Sequence, residues 1–147
     1  MDLSTRLAAI VNALPLWSGI RVLEIGCGPG AAARAIAKRI GNGYVLGIDR
    51  SARAIQQAVK GAPDEIAAGL LGFQQSTIED FQLPAGVPPF DLAFAVRVGA
   101  LDGRHPQLEP LALASIAKAL TKKGRLFIDG GDPLKEWPSV PCGYPER

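Results

Sequence analysis

Strand-like and helix-like segments alternate along the 147 residues of this chain. Short runs rich in Val, Ile, Leu and Phe are separated by segments whose apolar residues recur three or four positions apart, which is the spacing of one helix face. Parallel strands need long crossover connections, commonly helices, so this alternation predicts βαβ units with right-handed crossovers. We therefore predict an α/β fold with a mostly parallel sheet and helices on both faces. The predicted strands are 21–25, 44–48, 70–74, 90–96 and 125–129.

Four helices are predicted between these strands and before them. The first spans residues 3–14 and ends at Pro15, and the second spans 31–40. Ser51 is a residue type that caps helices, and we expect a third helix after it. The buried positions predicted for the third helix are Ala52, Ile55 and Val59.

The last predicted helix has an apolar face that includes Leu113 and Leu120, and Lys122-Lys123-Gly124 resembles a helix C-terminus. The strand at 125–129 is followed by Gly130-Gly131 and then by four prolines, so no further regular element is expected.

Length and composition describe one folded domain over residues 1–147, with 1–20 as a helix and lead-in and 130–147 as a Pro/Gly-rich tail. Apolar residues make up 48% and charged residues 20%, but no apolar run reaches the roughly 20 residues of a membrane span. The N-terminus lacks a signal-peptide pattern, so we expect a cytoplasmic protein with no membrane partner. Cys27 and Cys142 are too few for a disulfide framework or a zinc site, and no metal is expected.

The most informative loop follows the first predicted strand and contains Gly26, Gly28 and Gly30. Glycines allow a ligand to lie on the backbone, and the helix that follows offers free N–H groups. Asp49 directly follows the second strand, where its carboxylate can bind both hydroxyls of a ribose. Together the two features predict a nucleoside-containing ligand at the carboxyl edge of the sheet.

Glu24 narrows the choice of nucleoside because it stands two residues before the first glycine. A pyrophosphate favours a helix N-terminus without a neighbouring anion, whereas a sulfonium or an ammonium is attracted by a carboxylate. Gly26, Gly28 and Ala31 also satisfy a dinucleotide fingerprint formally. Glu24 favours the cationic ligand over the dinucleotide.

The segment VLEIGCGPG, residues 22–30, resembles motif I of the class I S-adenosylmethionine-dependent methyltransferases, and GIDRS, residues 47–51, resembles their motif II. The resemblance implies a Rossmann-like, doubly wound fold, S-adenosylmethionine as cofactor and Asp49 as the ribose-binding acid. In the loop after strand three, Thr77 occupies the position of the usual adenine-binding acid, with Glu79 and Asp80 as alternatives. The cofactor-binding residues implied are Glu24, Gly26, Cys27, Gly28, Gly30, Asp49, Arg50, Thr77, Ile78 and Arg97.

The C-terminal part departs from this family, whose members usually continue with a helix and an antiparallel pair of strands. Eighteen residues follow Asp129, and their Gly and Pro content argues against such a pair. The last strand would then be an exposed sheet edge, so we expect the tail or a second copy to cover it. A homodimer is the second possibility.

Acceptor-side candidates lie in the loop after the fourth strand, from Arg97 to His105. His105, the only histidine, is either a general base or an exposed turn residue, so His105 and Arg97 are weak catalytic candidates. Arg97 either binds an acidic acceptor or pairs with a nearby carboxylate. Cys27 is expected to be a packed small residue rather than a nucleophile.

Two absences favour a small-molecule acceptor over a nucleic acid. The segment after strand four carries neither the Asn/Asp-Pro-Pro-Tyr typical of base-amine methylation nor a Pro-Cys nucleophile. The excess of basic residues in the first 60 positions is explained by solvated helix flanks. The predicted function is methyl transfer from S-adenosylmethionine to a small molecule.

Two alternatives remain open. The first is a non-catalytic S-adenosylmethionine-binding protein, which the short C-terminus and Thr77 support. The second is an NAD(P)-dependent oxidoreductase, although no Tyr-x-x-x-Lys pair occurs.

Overall fold

A computed structural model of the protein describes residues 3–138 and contains one sheet with helices on both faces. The strand order is β3-β2-β1-β4-β5-β6; the first five strands are parallel and β6 is antiparallel to β5. This arrangement confirms the predicted Rossmann-like α/β class. The elements are α1 (Thr5–Ala13), β1 (Arg21–Ile25), α2 (Ala31–Ala37), β2 (Tyr44–Asp49), α3 (Ala52–Lys60), α4 (Pro63–Ala67), β3 (Leu71–Gln75), β4 (Phe90–Ala95), α5 (Glu109–Ala119), β5 (Leu120–Asp129) and β6 (Leu134–Glu136).

Two apolar clusters cover the two faces of the sheet. Successive strand residues point to opposite faces, so β1 contributes Val22 to one cluster and Leu23 to the other. The first cluster packs beneath α1 and α2, and Phe94 of β4 lies in it fully buried. The second packs beneath α5, where Ile116 is fully buried. The central strands are therefore covered on both sides, as their nearly continuous apolar sequence predicts.

Helix α3 confirms its predicted start but not its predicted buried face. The Ser51 hydroxyl accepts a hydrogen bond from the backbone N–H of Ala54, as a capping residue does. Only Ala58 of this helix is buried, whereas Val59 is 43% exposed. Ala58 faces Gly30 so closely that a Cβ on Gly30 would lie 3.1 Å from the Cβ of Ala58. Ala58 is buried because the close approach of α3 to Gly30, rather than the spacing of apolar residues, determines which face of the helix is buried.

The predicted end of the last helix was wrong. Helix α5 ends at Ala119, and Leu120 begins β5, so Lys122 to Gly124 lie in a strand instead of a helix C-terminus. Leu120 pairs with Phe90, and the register between β4 and β5 then shifts before Leu92 pairs with Arg125. Tertiary pairing along the apolar β4 edge has overridden a local sequence signal.

The residues after Asp129 also differ from expectation, because β6 forms where no regular element was predicted. The strand follows a cis Asp132–Pro133 peptide bond and pairs with β5 between Phe127 and Asp129. The chain itself therefore covers the β5 edge, which was the first of the two possibilities expected from the sequence, the tail or a second copy. The homodimer stays a prediction, and Cys142 lies outside the described residues. Within residues 3–138, no helix is long and apolar enough to cross a membrane.

Candidate active site

A cleft of about 270 Å³ lies at the carboxyl ends of β1 to β4. The strand order reverses at this point, because β2 and β3 lie on one side of β1 and β4 lies on its other side. Its wall combines the loops that follow these strands, as predicted for an open parallel sheet. The predicted residues in the wall are Gly26, Asp49, Arg50, Thr77, Ile78, Arg97 and His105.

The glycine loop keeps the floor of the cleft open. Gly26 has φ +74°, and a Cβ on it would lie 3.0 Å from a methyl group of Val98 across the cleft. The backbone N–H groups of Gly26 and Cys27 both donate to the carbonyl of Ile48, at 2.8 and 2.9 Å. The loop is thus fixed to β2, and a side chain at Gly26 would fill the space beside Val98.

Asp49 organises the loop as well as lining the cleft. Its Oδ2 accepts a hydrogen bond of 2.9 Å from Gly28 N–H, and its Oδ1 accepts one of 2.9 Å from Ser51 N–H. These two backbone donors fix the orientation of the carboxylate, and each oxygen keeps a further lone pair that can accept a hydrogen bond. Asp49 therefore lines the cleft as a carboxylate of fixed orientation, and its role in binding a ribose stays a prediction.

Glu24 is buried behind the loop rather than in the cleft wall. The residue is 4% exposed. One oxygen of its carboxyl group has no hydrogen-bond partner in the described structure, and the carboxyl group interacts with the backbone N–H of Ala33 in α2. Burial, with the negative charge of Asp49, raises the pKa of Glu24 to about 8. The sequence argument assumed an ionised carboxylate, whereas burial of Glu24 in the structure disfavours its charged form.

Cys27 and Gly30 are also buried outside the wall. Burial and the neighbouring carboxyl groups of Glu24 and Asp49 raise the pKa of the Cys27 thiol far above its usual range. A thiol that stays protonated is a poor nucleophile, which agrees with its expected packing role. Its side chain lies against Gly47, where a Cβ would approach the Cys27 Cβ to 2.9 Å.

The loop after β3 forms the side of the cleft next to Asp49. Thr77 contributes a hydroxyl whose oxygen is buried without a hydrogen-bond partner among the described residues, and Ile78 contributes an apolar side chain that is 3% exposed. Glu79 also lines the cleft, whereas Asp80 is exposed and does not. A buried unpaired hydroxyl needs a partner, and a ligand with a polar edge supplies one.

The loop after β4 forms the opposite side and contains Arg97, the one residue other than glycine with a positive φ, +57°, in the described structure. Arg97 N–H donates to Asp129 Oδ1 at 3.2 Å, and its carbonyl accepts from Arg104 Nη2 at 2.7 Å. Asp129 also pairs with Arg6 at 2.8 Å. The sequence analysis missed Asp129 and Arg6, although Asp129 is the last residue of a predicted strand; Arg6 carried no sequence signal.

His105 lies at the outer end of this loop. It is exposed, and its ring packs so closely on Gly99 that a Cβ there would collide with the ring carbon Cδ2. Its backbone N–H donates to the Gly99 carbonyl at 3.0 Å. His105 is thus an exposed residue of the turn that also lines the cleft, and its catalytic role stays a prediction. No group of three or more His, Cys, Asp or Glu within residues 3–138 could hold a metal.

Comparisons with known proteins agree with the fold and the cleft. A family model described as a methyltransferase domain matches residues 22–124. A trans-aconitate 2-methyltransferase of Methylobacterium nodulans is 29% identical over 136 residues, which are 92% of this chain and 48% of that protein. A nocamycin O-methyltransferase of Saccharothrix syringae is 33% identical over 136 residues, which cover 90% of this chain and 45% of that protein. The chain thus spans about half the length of these curated relatives.

Solved structures show the same architecture. The crystal structure of an S-adenosylmethionine-dependent methyltransferase from Thiobacillus denitrificans, in complex with S-adenosylhomocysteine, superimposes with a TM-score of 0.65. The two sequences are 25% identical, and the match covers 86% of this chain and 48% of that one. With most of its length matched by the family model, this chain belongs to the class I S-adenosylmethionine-dependent methyltransferases.

Proposed function

We propose that this chain binds S-adenosylmethionine in the cleft and transfers its methyl group to a small molecule. One observation carries the proposal: the cleft brings Gly26, Asp49 and Thr77 to one wall. The unpartnered oxygen of Thr77 fits such a ligand, because a polar nucleoside would satisfy a hydroxyl in the cleft wall that the protein leaves unpaired.

Each part of the cleft has a role in this proposal. Asp49 would hold the ribose hydroxyls, and Thr77 with Ile78 would hold the adenine. Glu24 would compensate the positive charges. When bound, S-adenosylmethionine supplies a methyl group on a sulfonium that is ready for displacement. Since the donor is already activated, the chain acts mainly by aligning the acceptor and excluding water.

Two curated relatives support a small-molecule acceptor, because their names specify trans-aconitate and nocamycin. No specific observation favours a nucleic acid. We retain three predictions from sequence alongside this function: a cytoplasmic location, one methyltransferase domain over residues 1–147, and a homodimer.

Ligand-induced stabilisation tests the cofactor assignment. A ligand at about 100 times its Kd stabilises the native state by about 2.7 kcal/mol, so S-adenosylhomocysteine should raise Tm by several degrees. NADH at the same concentration should leave Tm unchanged. Stabilisation by NADH alone would instead support the oxidoreductase. Binding of S-adenosylhomocysteine with no methylated product across an acceptor screen would favour the non-catalytic alternative.

Asp49→Asn should weaken S-adenosylhomocysteine binding by about 2 kcal/mol, or about 30-fold in Kd. The amide has the same shape but loses the charge and one of the acceptor oxygens that a ribose hydroxyl would use. Calorimetric titration measures the change. Asp64→Asn, at an exposed position in α4, is the matched control and should bind like the parent chain. An unchanged Kd in Asp49→Asn would remove Asp49 from the cofactor site.

A further inference from the structure

The charged side chains of the cleft are divided between its two halves. On the β2 and β3 side the wall contains Asp49, Arg50 and Glu79. On the β4 side it contains Arg97 and Arg104 and no carboxylate. An anion entering the cleft is therefore attracted to the β4 half, away from the carboxylates that face the proposed ribose position.

Of the two arginines on the β4 side, Arg97 is the one whose guanidinium has no hydrogen-bond or ion-pair partner among the described residues. Arg104 Nε donates to both carboxylate oxygens of Asp102, at 3.0 and 2.9 Å, and its Nη2 donates to the Arg97 carbonyl. Within residues 3–138, the Arg97 side chain has no carboxylate within 4.0 Å. A guanidinium matches a carboxylate with two parallel hydrogen bonds, so a ligand carboxylate is the partner that its chemistry fits.

The backbone of Arg97 is held in a conformation that arginine rarely adopts. Its φ of +57° is in the left-handed region, where a side chain is strained. Asp129 Oδ1 accepts from the N–H of this residue, and Arg104 donates to its carbonyl. Arg6 of α1 holds the other oxygen of Asp129 at 2.8 Å. Such strain persists where surrounding contacts enforce it, and it clusters at ligand-binding positions.

We propose that Arg97 binds the carboxylate of a small acidic acceptor and that Asp129 is the positioning residue that orients it. This inference rests on the proposed function and names the substrate class of the same site.

The corresponding reaction balances without a base. A carboxylate oxygen gives a lone pair to the methyl carbon, and the electron pair of the C–S bond stays on sulfur. The products are a methyl ester and a neutral thioether, and no proton moves.

Arg97→Gly separates binding from folding, because glycine adopts a φ of +57° without strain while the guanidinium is lost. The protein is first saturated with S-adenosylhomocysteine and then titrated calorimetrically with succinate, tricarballylate and, as an uncharged probe, succinamide. We expect the parent to bind at least one of the two carboxylates ten times or more tightly than succinamide. In Arg97→Gly this preference should fall at least tenfold, while Tm is not lowered.

Controls test the position and the orientation of the guanidinium. Arg53→Gln removes a positive charge from an exposed position outside the cleft and should bind like the parent. Asp129→Leu should reduce carboxylate binding about tenfold. Asp129→Asn keeps an acceptor for the Arg97 N–H and should restore binding to within threefold of the parent, a rescue that loss of general packing would not produce.

The possible failures are distinguishable. Equal binding of carboxylates and succinamide, or an unchanged preference in Arg97→Gly, overturns this inference while S-adenosylhomocysteine still binds. Weaker S-adenosylhomocysteine binding in Arg97→Gly assigns Arg97 to the cofactor site and also overturns it. A parent chain that does not bind S-adenosylhomocysteine refutes the proposed function itself and this inference with it.

Discussion

Between pH 5 and pH 8, the free energy of unfolding of the parent is expected to fall by about 3–4 kcal/mol more than that of Glu24→Gln. Glu24 has its pKa raised from 4.5 in the unfolded chain to about 8 in the folded protein. Between these values the folded state binds more protons than the unfolded state, so the parent loses stability as pH rises toward 8. Glutamine does not titrate and removes this slope.

Urea unfolding at pH 5, 6.5 and 8 measures the effect. The free energy of unfolding of the parent should fall across the series relative to that of Glu24→Gln. Asp64→Asn, an exposed carboxyl change, should follow the parent. Parallel curves for the parent and Glu24→Gln would show that Glu24 is ionised in the folded protein, and the assumption made from sequence would then be correct.

Phe94→Ala is expected to destabilise the protein by about 3–5 kcal/mol, the usual range for removing a fully buried aromatic ring. Phe94 is 0% exposed and lies on the sheet face covered by α1 and α2. In the pairing of β1 with β4, Phe94 lies beside Glu24, so both side chains point to the same face of the sheet. The cavity would therefore open on the face that buries the Glu24 carboxyl group.

Denaturant unfolding at pH 6.5 checks this value, with Phe94→Leu included because the alanine variant loses a large share of a typical domain's total stability. Leu111→Ala is the matched control: Leu111 is 56% exposed, so its loss should change stability by less than about 0.5 kcal/mol. A loss below about 1 kcal/mol in Phe94→Ala would contradict the packing of this face.

The central part of the fold was predictable because its signals are local. The strand-like run 21–25 and the glycines that follow it fix a strand and its end within ten residues. The same holds for the strand that ends at Asp49, and the structure brings both loops to one cleft. The hydroxyl of Ser51 likewise acts on a backbone N–H only three residues away.

The errors occurred where distant parts of the chain compete with a local pattern. Lys122 to Gly124 resemble a helix end, yet they lie within β5, at the register shift between Leu120 and Arg125, which pair with Phe90 and Leu92 of β4. Strand β6 forms among prolines for the same reason, since an unpaired β5 edge is satisfied by any chain able to reach it.

The sequence by itself determined the strand and helix alternation, the glycine loop beside Glu24 and the acid at Asp49, because each depends on neighbours a few residues apart. Only the tertiary structure decided the raised pKa of Glu24 and the backbone conformation of Arg97. A pKa depends on how much water folding removes and which charges it brings near. Arg97 takes its conformation from Asp129, 32 residues further along the chain. Burial and long-range contacts of this kind exist only once the sheet has assembled.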